Sequence, residues 1–275
     1  MKYLRTIPIT ALLGTALTGM FLFAAIFAPW IAPYGMSEVV GDMWEPSSAQ
    51  FLLGTDNLGR DLLSRMIYGA QTTILIASLA TLLAFTMGSV LGILAAVLGG
   101  WMDQVMSRGV DILMSIPTLI FALVVLSVMP STMLVLILVM GILDSTRVYR
   151  ISRAVAVDVN VQDFVEVARL RGEGNSWIVF REILPNALSP LVAELGLRFI
   201  FAVLFLSSLS FLGLGVQPPE ADWGSMVREN RQGIVFGVPA ALIPAGAIAL
   251  LAISVNLVAD WILRRTTDLK GGRGG

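Results

Sequence analysis

Long apolar runs alternate along this chain with short polar stretches marked by glycine, proline or charge. Six of the runs can be drawn as membrane spans, at about residues 9–29, 72–98, 111–129, 132–149, 191–214 and 236–263. About 20 apolar residues form a helix long enough to cross a hydrocarbon core of about 30 Å. In the fourth run Met133 to Leu143 is purely apolar, but Asp144 and Arg147 follow before Tyr149. The pattern predicts an all-α integral membrane protein of six transmembrane helices. The first run, Ile9 to Ala28, exceeds the usual apolar core of a signal peptide, and Pro29 follows where a cleavage site would be sought. It reads as an uncleaved span that also directs insertion.

Charge then sets a direction. With the amino terminus inside, the inner segments collect Lys2, Arg5, Arg108, Arg147, Arg150, Arg153, Arg169, Arg171 and Arg181, and the carboxyl end adds Arg264, Arg265, Lys270 and Arg273. The outer segments hold Arg60, Arg65, Arg228 and Arg231, while Arg198 falls within a span. The positive-inside rule therefore predicts that both termini are cytoplasmic. Trp30, Tyr34, Trp44 and Trp223 fall near the outer interface and Trp101, Tyr149 and Trp261 near the inner one, as aromatic belts do. Two outer segments are larger than turns, residues 30–71 and 215–235, and the tail Lys270–Gly275 carries little information. No inverted repeat of the secondary-transporter kind stands out.

Composition narrows the function classes. Hydrophobic residues make up 56% of the 275 and charged residues 13%, about half the share usual in soluble domains. The net charge of -1 gives no support to nucleic-acid binding. Cysteine and histidine are both absent, which removes disulfides, thiolate chemistry, the commonest metal ligand and the commonest acid–base group. A hydrolase would have to rely on Ser207 or Ser208 with Asp144 and no histidine between them. No metal site and no catalytic residue is expected.

Within the spans, Gly88, Gly92, Ala96 and Gly100 recur every fourth residue, with Ala95 and Gly99 beside them, and Ala241, Ala245 and Ala249 do likewise in the last span. Small residues at this spacing let helix backbones approach closely. They fit packing within one subunit first, with a subunit interface or pore wall as the sharper alternative. Glu194 and Arg198, Asp260 and Arg264, and Asp144 and Arg147 are acid–base pairs three or four apart, each able to share a helix face. They read as structural pairs near the cytoplasmic ends, where long side chains reach the interface. No carboxylate near mid-membrane marks a proton pathway.

The most informative stretch is Asp163 to Pro190, DFVEVARLRGEGNSWIVFREILPNALSP, a charged, glycine-broken segment lodged between two apolar runs. Asp163 can cap a helix starting at Phe164, with Glu166 reaching back. Gly172 and Gly174 would end that helix, since glycine accepts the left-handed conformation found at C-termini. Asn175 or Ser176 can cap a second helix through Ile183 and Leu184 that Pro185 stops, and Ser189-Pro190 can open the fifth span. Helices this short need packing to persist in water. Lying on lipid headgroups is the bland alternative, and Glu166 and Glu173 oppose it on an anionic surface.

Here the chain resembles the permease subunits of ATP-binding-cassette importers, whose cytoplasmic signature is Glu-Ala-Ala, a glycine four residues later, and an Ile-Leu-Pro ending. Glu166, Ala168, Gly172, Ile183, Leu184 and Pro185 match it; Val167 replaces the first alanine, Arg169 follows the second, and Glu182 stands where peptide-type permeases usually have histidine. Gly54-Thr55-Asp56 with Gly59-Arg60-Asp61, Asp111-Ile112-Leu113 through Ile116-Pro117, and Ser210 to Gly215 followed by Pro218-Pro219 and Trp223-Gly224 are similar to the dipeptide, oligopeptide and nickel branch. Asp260-Trp261 fits as well, whereas Arg264 to Asp268 departs from that branch's ending.

The resemblance implies the type I importer permease fold, with a coupling helix between spans four and five. It implies residues 1–71 as first span plus extracytoplasmic segment, 72–263 as the permease domain and 264–275 as a cytoplasmic tail. The implied partners are a second permease subunit in a heterodimer, two cytoplasmic ATPases, an extracytoplasmic solute-binding protein and membrane lipid, in a bacterial-type inner membrane. The implied cargo is peptides or similar small solutes, with nickel or a metal chelate as alternative. No GxxxxGK[ST] loop occurs in the chain, so ATP and Mg are expected on the partner ATPases. A self-sufficient channel or carrier would instead move solute without ATP.

Overall fold

The computed structural model describes residues 8–271. Lys2, Arg5 and Arg273 lie outside the described residues, and the Arg264 partner expected for Asp260 lies outside the described side chains. Among the described residues the chain is helical, and β-type pairing is confined to two isolated bridges, Val39 with Arg60 and Thr55 with Asp61. A helix satisfies all its backbone groups internally, which is what a chain this apolar requires in lipid.

Among the described residues, four helices are long and apolar enough to cross a membrane. They are α1 (Ile9–Ile26), α3 (Leu62–Leu98), Pro190–Phe211 within α9 (Leu184–Phe211), and Pro239–Leu263, which runs into α11 (Leu242–Gly271). Ala28–Ile31 forms the short α2 after α1. α3 starts at Leu62 rather than near residue 72, so its 37 residues exceed the bilayer core at 1.5 Å of rise per residue.

The expected third span, 111–129, is not one straight helix. α4 (Gly100–Ser115) and α5 (Thr118–Val128) are bent by 83° at a short break. Pro117 causes the break, because a residue before proline is driven out of the helical region, and Ile116 is extended at φ -93, ψ 130. The fourth expected span, 132–149, lies inside α6 (Met133–Asn160), whose charges from Asp144 onward keep it out of the four plainly apolar helices. α7 (Asp163–Leu170), α8 (Asn175–Trp177) and α10 (Trp223–Asn230) complete the helices.

The chain divides into two compact units. The first comprises the described part of Met1–Ser78 with Leu123–Leu136 and Phe199–Val258. It is built around Trp223, which is 1% exposed. Asp222 caps α10, accepting from Gly224 N and Ser225 N. The indole N–H of Trp223 donates to the Met66 carbonyl at 3.0 Å, and Phe21 meets its ring edge-on at 5.4 Å. Gly224 lets α10 close on α9, since a β-carbon there would stand 2.6 Å from the Ser207 carbonyl oxygen.

The second unit comprises Leu79–Ala122, Ile137–Arg198 and the described part of Ala259–Gly275. Gly88 and Gly92 of the small-residue stripe face α6: their β-carbons would lie 2.6 Å from the carbonyl oxygens of Ser145 and Tyr149. Those two positions therefore pack within the subunit. Gly99 and Gly100 do not join the stripe; at φ 61 and φ 56 they turn the chain from α3 into α4.

Candidate functional site

The segment from Asp163 to Pro190 folds as helix, glycine turn and helix, with boundaries that differ from the sequence expectation. α7 begins at Asp163 itself, and Gln162 occupies the N-cap without a side-chain cap bond. Asp163 and Glu166 instead sit in the first turn, where carboxylates interact favourably with the helix dipole. At the other end Gly172 is left-handed at φ 84. Glu173 N donates to the Ala168 carbonyl at 3.2 Å and Gly172 N to that of Arg169 at 2.9 Å, the double closure of a Schellman turn.

Gly174, not Asn175 or Ser176, is the N-cap of α8. A π-helical stretch, Ile178–Ile183, then runs directly into α9. Pro185 does not stop the helix and Ser189-Pro190 does not open one, for Pro190 lies inside α9. The wider π turn just before Pro185 delivers it as the second residue of α9, a position where a missing N–H is tolerated. The Asn186 side-chain amide donates to the Glu182 carbonyl at 2.6 Å in the same stretch.

A compact apolar core underlies the segment. Val165 and the π-helical Ile178, Val179 and Ile183 pack with Ile93 and Val97 of α3 and Ala156 of α6, and Leu184 packs against this cluster. Ala168 is also buried. Of the residues matching the family signature, Ala168 and Ile183 therefore point inward, whereas Glu166, Val167, Arg169, Gly172 and Pro185 are exposed. Arg169 donates to Asn160 Oδ1 at 2.7 Å, tying α7 to the end of α6. The outward side of α7 is mixed: Phe164, Val167 and Leu170, 41%, 51% and 81% exposed, stand beside the exposed Asp163 and Glu166. A cavity of about 360 Å³ opens between α3 and this segment, bordered by Val90, Leu94, Val179 and Phe180.

The other sequence-marked group, Gly54 to Asp61, folds as a tight loop around a buried ion cluster. Asp56 accepts from Arg60 N at 3.0 Å, Arg60 Nε at 2.7 Å and Arg65 Nη1 at 2.5 Å. Glu229 on α10 accepts from both arginines, at 2.9 and 2.7 Å. Gly59 at φ 74 approaches Gly41 too closely for any β-carbon, and Gly54 at φ 77 does the same against Glu45. The Thr55 hydroxyl donates to the Asp42 carbonyl at 2.6 Å, and Asp61 accepts from Ser64 N at 2.8 Å at the start of α3. Burial acts to raise the Asp56 pKa, but the Arg60 N–H and the Arg65 guanidinium outweigh it and hold the carboxyl below its usual range. Burial pushes the Asp222 carboxyl up, against bonds from Ser225, Ser210 and the Gly224 N–H.

Sequence reasoning missed Glu229 and Asn230. The Asn230 side-chain oxygen accepts from Trp44 Nε1 at 3.3 Å and Asn57 N at 3.0 Å, so α10 holds the loop through both residues. Their only signal in the sequence is their place in the polar run Arg228 to Gln232, which does not distinguish them from its other members. In the second unit the Glu194–Arg198 pair is present at 2.6 Å, but Asp144 is held by Arg198 at 3.2 Å more closely than by Arg147 at 3.7 Å.

Several apolar helices, together with the family match that follows, define a multi-pass inner-membrane protein. Residues 88–268 match the family of binding-protein-dependent transport system inner membrane components, and this chain belongs to that family. It is the permease subunit of an ATP-binding-cassette importer, a family that works with ATPases and a substrate-binding protein and is not itself the catalytic part. The chain is 35% identical to the di/tripeptide transport system permease protein DppC of Pseudomonas aeruginosa, over 94% of this chain and 88% of that protein. It is 33% identical to the probable D,D-dipeptide transport system permease protein DdpC of Escherichia coli, covering 92% and 85%. It is 34% identical to the glutathione transport system permease protein GsiD of Pectobacterium atrosepticum, covering 82% and 74%.

Proposed function

We propose that this chain forms one half of a heterodimeric pore that carries peptides or similar small solutes inward, driven by two cytoplasmic ATPases. One of them docks on α7 of this chain and the other on the matching helix of the second permease subunit. The transport systems for which the relatives are named, di/tripeptide, D,D-dipeptide and glutathione, support the cargo class. In this reading α5 with its flanking residues and the first part of α6 complete six spans, and both termini face the cytoplasm. Residues 1–71 supply the first span and an extracytoplasmic segment, 72–263 the permease domain and 264–275 the tail. A solute-binding protein delivers cargo to the segments at 30–71 and 215–235.

ATP and Mg bind on the ATPases. Their closure pulls on α7 and turns the two half-pores outward, and hydrolysis resets them, a two-state element biased by nucleotide.

One observation carries the docking role. α7 buries Val165 and Ala168 against its own unit while leaving Phe164, Val167 and Leu170 exposed. A short helix anchored on one side, with exposed apolar residues beside Asp163 and Glu166 on the other, fits a groove on a partner. Leu170→Cys, in a chain with no other cysteine, is expected to cross-link to a co-expressed ATPase in the assembled transporter. Leu170→Glu would place an unpaired charge in that contact, costing a few kcal/mol, and ATP-driven uptake is expected to fall by at least about tenfold. Parental uptake by Leu170→Glu at equal membrane levels, with no cross-link from Leu170→Cys, refutes the docking role.

A further inference from the structure

α4 is 16 residues long and buries none of them. Its two sides differ in chemistry. Asp103, Ser107 and Asp111 recur every fourth residue and hold α4 to α6. Arg153 clasps Asp103 through two nitrogens at 2.5 Å, Tyr149 Oη lies 2.9 Å from Ser107 Oγ, and Arg150 donates to Asp111 at 2.6 Å. The opposite side shows Trp101, Val105 and Ile112, exposed by 70%, 58% and 67%. Arg108 lies along that side and is exposed. Both acids of α4 are neutralised by α6 arginines, so the charge the bare side presents is positive.

The path of the chain explains how such a helix is oriented. Gly99 and Gly100, both at positive φ, turn the chain out of α3. At Ile116-Pro117 α5 departs at 83°. If α5 enters the bilayer along its normal, α4 runs close to the membrane plane. Three charged residues within α4, Asp103, Arg108 and Asp111, are costly in hydrocarbon and natural at an interface.

We propose that α4 is an interfacial helix that seats Trp101, Val105 and Ile112 in the cytoplasmic leaflet and holds an anionic phospholipid headgroup with Arg108. This rests on the orientation given under the proposed function. An amphipathic helix sinks its apolar side into the boundary between headgroups and acyl chains. Tryptophan favours that depth, and the positive charge complements anionic lipid. α4 grips α6 near Arg153, and α6 supplies Ala156 to the core beneath α7. Lipid under α4 thereby braces the segment that meets the ATPases.

The test uses the whole transporter in nanodiscs containing phosphatidylglycerol. Nitroxides are placed singly through Val105→Cys, Ile112→Cys and Gln104→Cys, the last on the polar edge of α4. At Val105 and Ile112 the label is expected to be reached by oxygen and to exclude an aqueous nickel chelate, with the reverse at Gln104. A photoreactive phosphatidylglycerol is expected to label α4, and Arg108→Gln to lower that labelling by about fivefold, the worth of one basic residue at an anionic surface. Protection of Val105 and Ile112 from both reagents means that another protein covers the face, and overturns the proposal. Access of the nickel chelate to both does so as well, and undiminished labelling in Arg108→Gln overturns the headgroup contact. Depth is read without transport, so failure of cross-linking at Leu170 would refute ATPase docking and leave this result standing.

Discussion

The Nη1 nitrogen of Arg65 lies 2.7 Å from Glu229 Oε2, joining residues 164 positions apart in the sequence. Arg65 is 1% exposed and also holds Asp56, which is 0% exposed. Removing the inner partner leaves a buried guanidinium without its main counter-charge, a loss of about 3 kcal/mol or more. Asp56→Ala is therefore expected to lower the thermal unfolding temperature of the purified protein clearly. Glu229→Gln keeps an acceptor at a more exposed position and is expected to cost only about 1 kcal/mol. Equal stability of the two variants would contradict this ranking.

The same cluster sets an acid limit. The folded-state pKa of Asp56 is lowered, so its stabilisation is fully present above the ordinary carboxylate value of about 3.9. It is lost as pH falls through the lower, folded value. Proteolysis of the loop at residues 30–61 is expected to stay slow down to about pH 4 and to accelerate below it. In Asp56→Asn the extra acid sensitivity should vanish, while protection at neutral pH is already reduced. Acceleration that begins near pH 6 would point to another group.

Much of the fold was legible because lipid imposes one dominant rule, and α1, α3, α9 and α11 follow from apolar length alone. What the sequence hid depended on local backbone competition. Pro117 breaks a helix as expected of proline, yet Pro185 and Pro190 sit within α9, one absorbed by a π turn and one in mid-helix. In the candidate site Gly172 was readable, since a left-handed C-terminus demands glycine. The inward turn of Ala168 and Ile183 was not, because apolar residues lie on both sides of α7 and only tertiary packing selects one. Glu229 was invisible for a related reason: its partners lie far away in sequence.

Close helix packing gives a contrasting pair of glycines. A β-carbon on Gly88 would stand 2.6 Å from both the Ser145 carbonyl oxygen and Val148 Cβ, whereas at Gly246 nothing lies within 4 Å. Gly88→Ala is expected to push α3 from α6 and destabilise by about 1–3 kcal/mol. Gly246→Ala removes a poor helix former from α11 and is expected to be neutral or stabilising by up to about 1 kcal/mol. Thermal unfolding of the two purified variants checks the order, and a stable Gly88→Ala would mean that α3 and α6 have room to move.

Gly172 separates backbone strain from steric contact. Its φ is 84, and no atom lies within 4 Å of a β-carbon built there. Any cost of Gly172→Ala therefore comes from the left-handed conformation, about 1 kcal/mol or slightly more. Asparagine adopts that conformation more readily than alanine. If α7 must be held at this angle to meet an ATPase, uptake per transporter should rank parental, then Gly172→Asn, then Gly172→Ala, with the alanine variant lower by about fivefold. Glu173 N and Gly172 N close the turn on Ala168 and Arg169, so the alanine variant should also show faster amide exchange at those two N–H groups. Uptake that falls equally in both variants, with exchange unchanged, would assign the loss to the new side chain at the docking surface and not to the turn.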